Sequence, residues 1–257
     1  PIFNVQFNFA SLNLTDLLFY FLTLVAEILG TVGGFGSSVF FVPMAGFFYD
    51  FQAVLGLTAL YHVFSNISKI VLFFKGMDKR IFLTIGIPSI VFVIIGAYLS
   101  QFLKGEIPAL ILGLFLVLFS GFLLLKPNFV LKPSNRNGIL GGGLSGFAAG
   151  VLGTGGAIRG LTLASFNVEK ATFLATSALI DFGVDSSRFV VYYSQDYISK
   201  DMLWRAPVLL VISFLGTWIG KKLLDRISQE NFKKIALWLI LVVGVVSVFK
   251  YVLLKMS

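Results

Sequence analysis

Two arginines of this sequence lie in stretches that are otherwise apolar, and carboxylates accompany them at helical spacing. Arg159 follows the glycine-rich segment GTGG (153–156), and Arg188 follows Asp181 and Asp185 at steps that place all three on one helix face. A guanidinium offers a planar fork of hydrogen-bond donors that matches anionic oxygens. Glycine, in turn, lets a ligand approach the backbone closely. These residue types and spacings predict a binding site for a small anion.

A second glycine-rich segment, GGFGSS (33–38), also precedes a short apolar run. Each segment is expected to turn the chain and to begin a short helix. The first amides of a helix have no intrahelical partner, and its dipole is positive at that end. An anion fits such a helix end, and Ser37 and Ser38 add two hydroxyl donors.

A polar stripe at 58–69 repeats the spacing of the stripe at 177–188. In order, the first stripe contains Thr58, His62, Asn66 and Lys69, and the second contains Ser177, Asp181, Asp185 and Arg188. Neither face can point into lipid, because an ionisable side chain in the bilayer is costly unless it is paired or faces a cavity. Turns and stripes together predict nine substrate-binding residues: Gly36, Ser37, Ser38, Asn66, Gly155, Gly156, Arg159, Asp185 and Arg188.

Four ionisable residues are candidates for coupling or gating: Glu27, His62, Lys69 and Asp181. Histidine has the ordinary pKa nearest neutrality, although a lone histidine inside a membrane is more often a structural hydrogen-bonding residue. A structural interpretation stays open for the charged pairs as well. Arg159 would then pair with Asp181 or Asp185. Asp185 would form a structural ion pair with Arg188 and would not bind a ligand.

Composition places the chain in the membrane, because 57% of its 257 residues are hydrophobic and only 12% are charged. Apolar runs of about 20 residues recur, as helices that span a bilayer require. The net charge of +8 comes from short basic clusters at the ends of these runs, a topology signal that does not indicate nucleic acid. With no cysteine and one histidine, no metal site or cofactor is expected.

The apolar runs predict two sets of helices with the same shape. They lie near 12–33, 37–49, 53–74, 81–103 and 107–125, then near 138–153, 156–167, 170–193, 202–224 and 231–254. A shift of 120 residues aligns the glycines of the two turns, and a shift of 119 aligns the two polar stripes. Gly142, Gly146 and Gly150, spaced by four, are expected to let helices pack closely. The predicted fold is an all-α polytopic membrane protein with repeats at 1–130 and 137–257.

Each repeat is expected to contain a broken-helix hairpin, formed at the glycine turn, and three transmembrane helices. The short arm has about 12 residues and is only about 18 Å long, which is too short to cross the hydrocarbon core comfortably. The hairpin is therefore expected to dip into the bilayer and return. Two tilted spans per hairpin would leave the following loops on the same sides of the membrane. Either way each half crosses an odd number of times, and the halves are inverted. Loops near 75–80, 126–136, 167–170 and 221–234 hold twelve basic residues against five on the other side. This predicts that those loops are cytoplasmic and that both termini lie outside.

The two glycine turns, GTVGGFGSSVFFVP and GVLGTGGAIRG, are each followed by an A-x-x-x-x-T stretch (Ala53 to Thr58, Ala171 to Thr176). This pattern resembles the TauE/SafE sulfite exporter family from about residue 20 to residue 250. The resemblance implies a multi-pass transporter of the bacterial inner membrane that moves sulfite or small organosulfonates, commonly outward. Two features depart from the family: residues 161–163 lack a proline common there, and Arg159 replaces an apolar residue.

The sequence therefore predicts an exporter of small sulfur-containing anions that works by alternating access in the lipid bilayer and can form a homo-oligomer. One alternative is an anion channel, which keeps the site without alternating access. Another is an importer of a different small anion. A membrane-embedded enzyme ranks third, because no nucleophile, metal cluster or cofactor motif accompanies the site.

Overall fold

The fold is known from a computed structural model that describes residues 13–33, 36–73, 76–103, 107–129, 131–224, 226 and 229–256. Residues 1–12 of the predicted first repeat, and Gly34 and Phe35 of the first glycine turn, lie outside these ranges. Within them the secondary structure is helical, without a strand, as predicted. Five of the described helices are long and apolar enough to cross a bilayer.

The helices follow the predicted order in both halves of the chain. In the first half they are α1 (Leu14–Gly33), α2 (Ser38–Ala45), α3 (Phe51–Phe73), α4 (Lys79–Phe102) and α5 (Ile107–Leu125). In the second half they are α6 (Asn135–Leu152), α7 (Gly156–Ala164), α8 (Lys170–Ser194), α9 (Ala206–Leu224) and α10 (Gln229–Met256). A π-helical stretch, Phe82–Gly86, lies inside α4, and one helical turn, Lys200–Leu203, precedes α9.

Two helix boundaries differ clearly from the prediction. Helix α2 ends at Ala45 instead of near residue 49, because Gly46 begins a series of turns and Pro43 has no N–H to donate within the last helical turn. Helix α9 begins at Ala206 instead of near residue 202. Pro207 then occupies the first turn of the helix, the position where proline is tolerated.

Each half packs mainly against the other half. Helices α1 and α9 run parallel: Asp16 pairs with Arg205 at 2.8 Å at one end, and the side chains of Glu27 and Thr31 lie against Gly216 and Gly220 farther along. Helices α4 and α6 are also parallel, and a hydrogen bond of 3.0 Å from Arg80 to Asn135 joins the starts of the two helices. Long helices from different halves therefore lie side by side.

The central pair, α3 and α8, is antiparallel. Gly56 near the start of α3 lies against Tyr197 just after α8, and Asn66 farther along α3 donates to Asp185 at 2.6 Å. The short helices turn back along their long partners. The rings of Phe48 and Tyr49, after α2, pack on Phe19 near the start of α1, with centroids 5.6 and 5.3 Å apart. Ser37, just before α2, lies 2.9 Å from His62 near the middle of α3, and Arg159, in the first turn of α7, pairs with Asp181 near the middle of α8. Both short helices therefore begin near the middle of this central pair.

The predicted close packing of the α6 glycines is confirmed. A Cβ atom on Gly142, Gly146 or Gly150 would overlap backbone oxygen atoms of α4, and Ser89 of α4 donates to the carbonyl of Gly142 at 3.0 Å. At these contacts α4 and α6 touch backbone to backbone, as small residues permit in membrane proteins.

Gly146→Ala should lower the free energy of unfolding by about 1–3 kcal/mol, because the new methyl group would force α6 away from Ser89. Thermal unfolding in detergent measures the effect. The matched control is Gly143→Ala on the same helix, where a Cβ would lie 3.4 Å from the Phe92 ring, an ordinary contact. Equal unfolding temperatures for the two variants would contradict the proposed backbone contact.

Candidate functional site

The two glycine turns meet between α3 and α8. Ser38 Oγ lies 3.2 Å from Thr154 Oγ1, and a Cβ on Gly36 would lie 3.8 Å from the Cα of Gly156. Gly36 has a φ of 81° and Gly153 a φ of 77°, a left-handed conformation that L side chains rarely adopt. The sharp turns therefore require glycine at these two positions.

A cavity of about 20 Å³ lies between the turns, which is room for about one water molecule. Eight of the nine predicted substrate-binding residues and three of the four coupling candidates line it. The lining residues are Gly36, Ser38, His62, Asn66, Lys69, Ala149, Gly153, Gly155, Gly156, Arg159, Asp181, Val184, Asp185 and Arg188. Segments that are far apart in the sequence thus converge on one enclosed space.

The first intrahelical hydrogen bonds of α2 and α7 begin just past the cavity. Phe40 and Phe41 donate to the carbonyl of Ser37, and Arg159 donates its backbone N–H to Gly155 at 3.1 Å. Ser145 Oγ also donates to Gly155 O at 2.9 Å and holds the second turn. Both helices therefore begin beside the cavity, and their positive ends lie next to it.

The charges around the cavity are balanced in pairs. Lys69, Arg159 and Arg188 line the cavity with Asp181 and Asp185, and Glu27 pairs with Lys69 from behind the wall. Three cations thus have three carboxylate partners, and a bound anion would compete with these carboxylates for the cations.

Arg159 forms an ion pair with Asp181, one of the two partners that the sequence left open. The Arg159 side chain is only 4% exposed, and its Nε has no hydrogen-bond partner. A buried donor without a partner costs about 1–3 kcal/mol. Arg159 therefore keeps binding capacity beyond its ion pair.

Arg188 makes more contacts, although its Nε, like that of Arg159, has no hydrogen-bond partner. Its Nη2 lies 2.7 Å from Asp185, and its Nη1 donates to the carbonyls of Ala149 at 3.0 Å and Gly153 at 2.8 Å. Asn66 supports Asp185 from α3. Because those carbonyls end α6, the guanidinium caps the negative end of that helix dipole. The structural ion pair left open by the sequence is therefore present, on the cavity wall.

Ser37 and Glu27 lie behind the cavity wall instead of lining it. The Ser37 hydroxyl donates to Glu27 at 2.8 Å and lies 2.9 Å from His62 Nε2. Glu27 is fully buried and pairs with Lys69 at 3.0 Å. Its carboxylate also accepts hydrogen bonds from the hydroxyls of Thr31, Ser37, Tyr61, Ser65 and Thr217.

Most of the residues around Glu27 were not predicted from the sequence. Tyr61 and Ser65 are four residues apart on α3, so they share a face beside the polar stripe, and this spacing was an available signal. Thr217 is different, because it lies 190 residues from Glu27 and reaches it only through the packing of α9 on α1. Tyr192 lies four residues after Arg188 on the polar face of α8 and donates to Gly150 O, near the end of α6.

The cavity has unequal walls. A recess of about 30 Å³ adjoins it, shares Gly36, Lys69 and Asp181 with it, and extends toward the start of α8 along Leu174 and Ser177. On the opposite side, apolar and aromatic side chains fill the space, among them Leu55, Ala59, Val191, Tyr192 and Tyr197. Within the described residues no group of His, Asp and Glu side chains forms a metal site.

Comparison with known proteins gives a consistent result. The family model described as "Sulfite exporter TauE/SafE" matches residues 19–247, which is most of the chain. A curated relative from Methanocaldococcus jannaschii, named as a probable membrane transporter protein, is 25% identical over 249 residues. That alignment covers 88% of this chain and 91% of the relative.

Arg188→Ala should lower the free energy of unfolding by about 3–5 kcal/mol, because Asp185 would keep a buried charge without its cation. Thermal unfolding in detergent measures the loss, with Arg136→Ala on the exposed start of α6 as the matched control. The double variant Arg188→Ala/Asp185→Ala should be more stable than Arg188→Ala alone. A double variant that is no more stable would mean that the stranded carboxylate does not cause the loss.

Proposed function

The chain belongs to the sulfite exporter TauE/SafE family of membrane transporters, and from that premise we propose that it exports sulfite or small organosulfonates by alternating access. One observation carries the proposal: two positive helix ends and the guanidinium of Arg159 converge on one enclosed cavity. The resemblance seen in the sequence is thus confirmed at the level of the family, and substrate and direction are the proposal.

The proposed anion lies between the turns, where its oxygens accept hydrogen bonds from Arg159, from the Ser38 hydroxyl and from the backbone amides beside Gly36 and Gly156. A tetrahedral or pyramidal oxyanion suits this arrangement, because donors approach it from both turns. The unpartnered Nε of Arg159 supports the assignment, since an anion satisfies a donor that is otherwise left without a partner.

The small cavity supports a carrier over a channel. A channel needs a continuous wet path for its ion, whereas this cavity holds about one water and is closed on one side by packed side chains such as Leu55 and Tyr192. In the proposed cycle this geometry would be a nearly occluded state of the carrier. An importer of another small anion would use the same site, and the family description favours export.

Inverted repeats at 1–130 and 137–257 are part of the proposal, and packing supports them. In order along the chain, α1 to α5 of the first half correspond to α6 to α10 of the second. The α1–α9 pair therefore corresponds to the α6–α4 pair, and both pairs are parallel. The pairs α3–α8 and α5–α10 each join equivalent helices, and antiparallel contacts agree with opposite orientation. In transporters of this design the substrate binds where the repeats meet.

The membrane orientation follows from charge. With the basic loops in the cytoplasm, the recess beside Asp181 opens inward and the packed cluster around Tyr192 closes the outer side. A bacterial inner membrane, external termini and assembly into homo-oligomers stay predictions.

Arg159→Gln should abolish sulfite transport, because it removes the charge at the proposed site. Counterflow in proteoliposomes, in which labelled sulfite exchanges for unlabelled sulfite, measures transport. Arg136→Gln is the matched control on the exposed surface, and it should transport like the wild type. Full activity of Arg159→Gln would overturn the proposed site. An ohmic single-channel current without counterflow would replace the carrier with a channel.

The chain contains no cysteine, so single cysteines report sidedness directly. A membrane-impermeant maleimide should label Ser199→Cys, before α9, in intact cells. It should label Asn128→Cys, after α5, only after permeabilisation. Both native residues are exposed. The opposite labelling pattern would reverse the proposed orientation.

A further inference from the structure

The two carboxylates on the cavity wall are held very differently. Asp185 is 5% exposed and is fixed by Arg188 at 2.7 Å and by Asn66 at 2.6 Å. Asp181 is 18% exposed, pairs with Arg159, and accepts only a long hydrogen bond, 3.4 Å, from Ser177 on its own helix. Asp181 also borders the recess, whereas Asp185 does not. Asp181 is therefore the carboxylate that is free to change its partner and its protonation.

Asp181 occupies Nη2 of Arg159, one part of the donor fork that an anion needs, while Nε has no partner. The cavity has room for about one water, and the guanidinium of Arg159 already faces the Asp181 carboxylate. An incoming oxyanion competes for the same planar fork. Binding therefore requires Asp181 to move away from Arg159, toward the recess.

The surroundings of Asp181 decide its charge after that movement. Arg159 faces it from α7, Lys69 and His62 line the same cavity from α3, and Asp185 and Arg188 lie on its own helix. Arg188 is neutralised by Asp185, and Lys69 by Glu27. Once an anion has taken Arg159, a charged Asp181 would lie beside that anion and the Asp185 carboxylate in a space of low dielectric. Like charges so close favour the protonated acid.

We propose that Asp181 is a proton-binding site linked to anion binding: when the anion displaces Asp181 from Arg159, the carboxyl group takes up one proton through the recess. This inference rests on the proposed function. When the anion leaves, Asp181 releases the proton and pairs with Arg159 again. The empty site and the site loaded with a monovalent anion and a proton then carry equal charge, so transport of that anion is electroneutral in either direction.

Calorimetric binding of methanesulfonate to the purified wild-type protein tests the linkage, because this organosulfonate stays ionised from about pH 5.5 to 8.5. Titrations in buffers of different ionisation enthalpy should show uptake of about one proton per anion, and Kd should rise up to about tenfold per pH unit in the alkaline range. Asp181→Asn should bind with a Kd independent of pH, and more tightly than the wild type at the alkaline end.

Asp196→Asn, the same chemical change on an exposed turn after α8, is the matched control and should keep the wild-type pH dependence. Proton uptake by the wild type is measured without any variant, so a poorly folded Asp181→Asn would not remove the test. Binding without proton uptake would overturn the inference and leave the proposed function intact. If neither methanesulfonate nor sulfite binds the wild type at any pH, the proposed function fails and the inference with it.

Discussion

Charges inside an apolar bundle must be paired, and this requirement organises the centre of the molecule. Lys69, Arg159 and Arg188 each have a carboxylate partner. Each pair joins or braces different parts of the chain: Lys69 ties α3 to α1, Arg159 ties α7 to α8, and Arg188 ties α8 to the end of α6. At the second glycine turn, Arg188 donates to Gly153 O and the Ser145 hydroxyl donates to Gly155 O, so these backbone carbonyls are satisfied inside the bundle.

The two halves use this chemistry unequally. In the first half Glu27 lies behind the wall among hydroxyl groups, and only its partner Lys69 lines the cavity. In the second half the charged residues form the wall. Arg159 adds a cation three residues after Gly156, whereas the residue three positions after Gly36 in the first turn is Val39. The two halves, whose helices follow the same order, thus contribute unequally to the site: the first supplies most of the hydroxyl groups, and the second supplies most of the charged groups on the wall.

Much of this arrangement was predictable from the sequence, for physical reasons that also explain what was not. Apolar run length fixes helix number and order, and helical spacing shows that Asp181, Asp185 and Arg188 share a face. Spacing within one helix says nothing about which helix lies opposite. Hence the partner of Arg159 stayed open between two aspartates, and Thr217 was not connected with Glu27. The early end of α2 escaped prediction because hydrophobicity continues past Ala45 while the hydrogen-bond pattern changes.

The glycine contacts of α6 with α4, and those of α1 with Gly216 and Gly220 of α9, have a consequence for how such a chain can originate and be divided. Each contact joins a helix of one half to a helix of the other with no space between them. Residues 1–130 expressed alone would leave the grooves of α1 and α4 empty and would leave α3 without α8. A separate half would therefore be stable only when the other half fills those grooves. If the halves are inverted repeats, as proposed above, the polypeptide corresponds to an antiparallel dimer whose subunits have been fused.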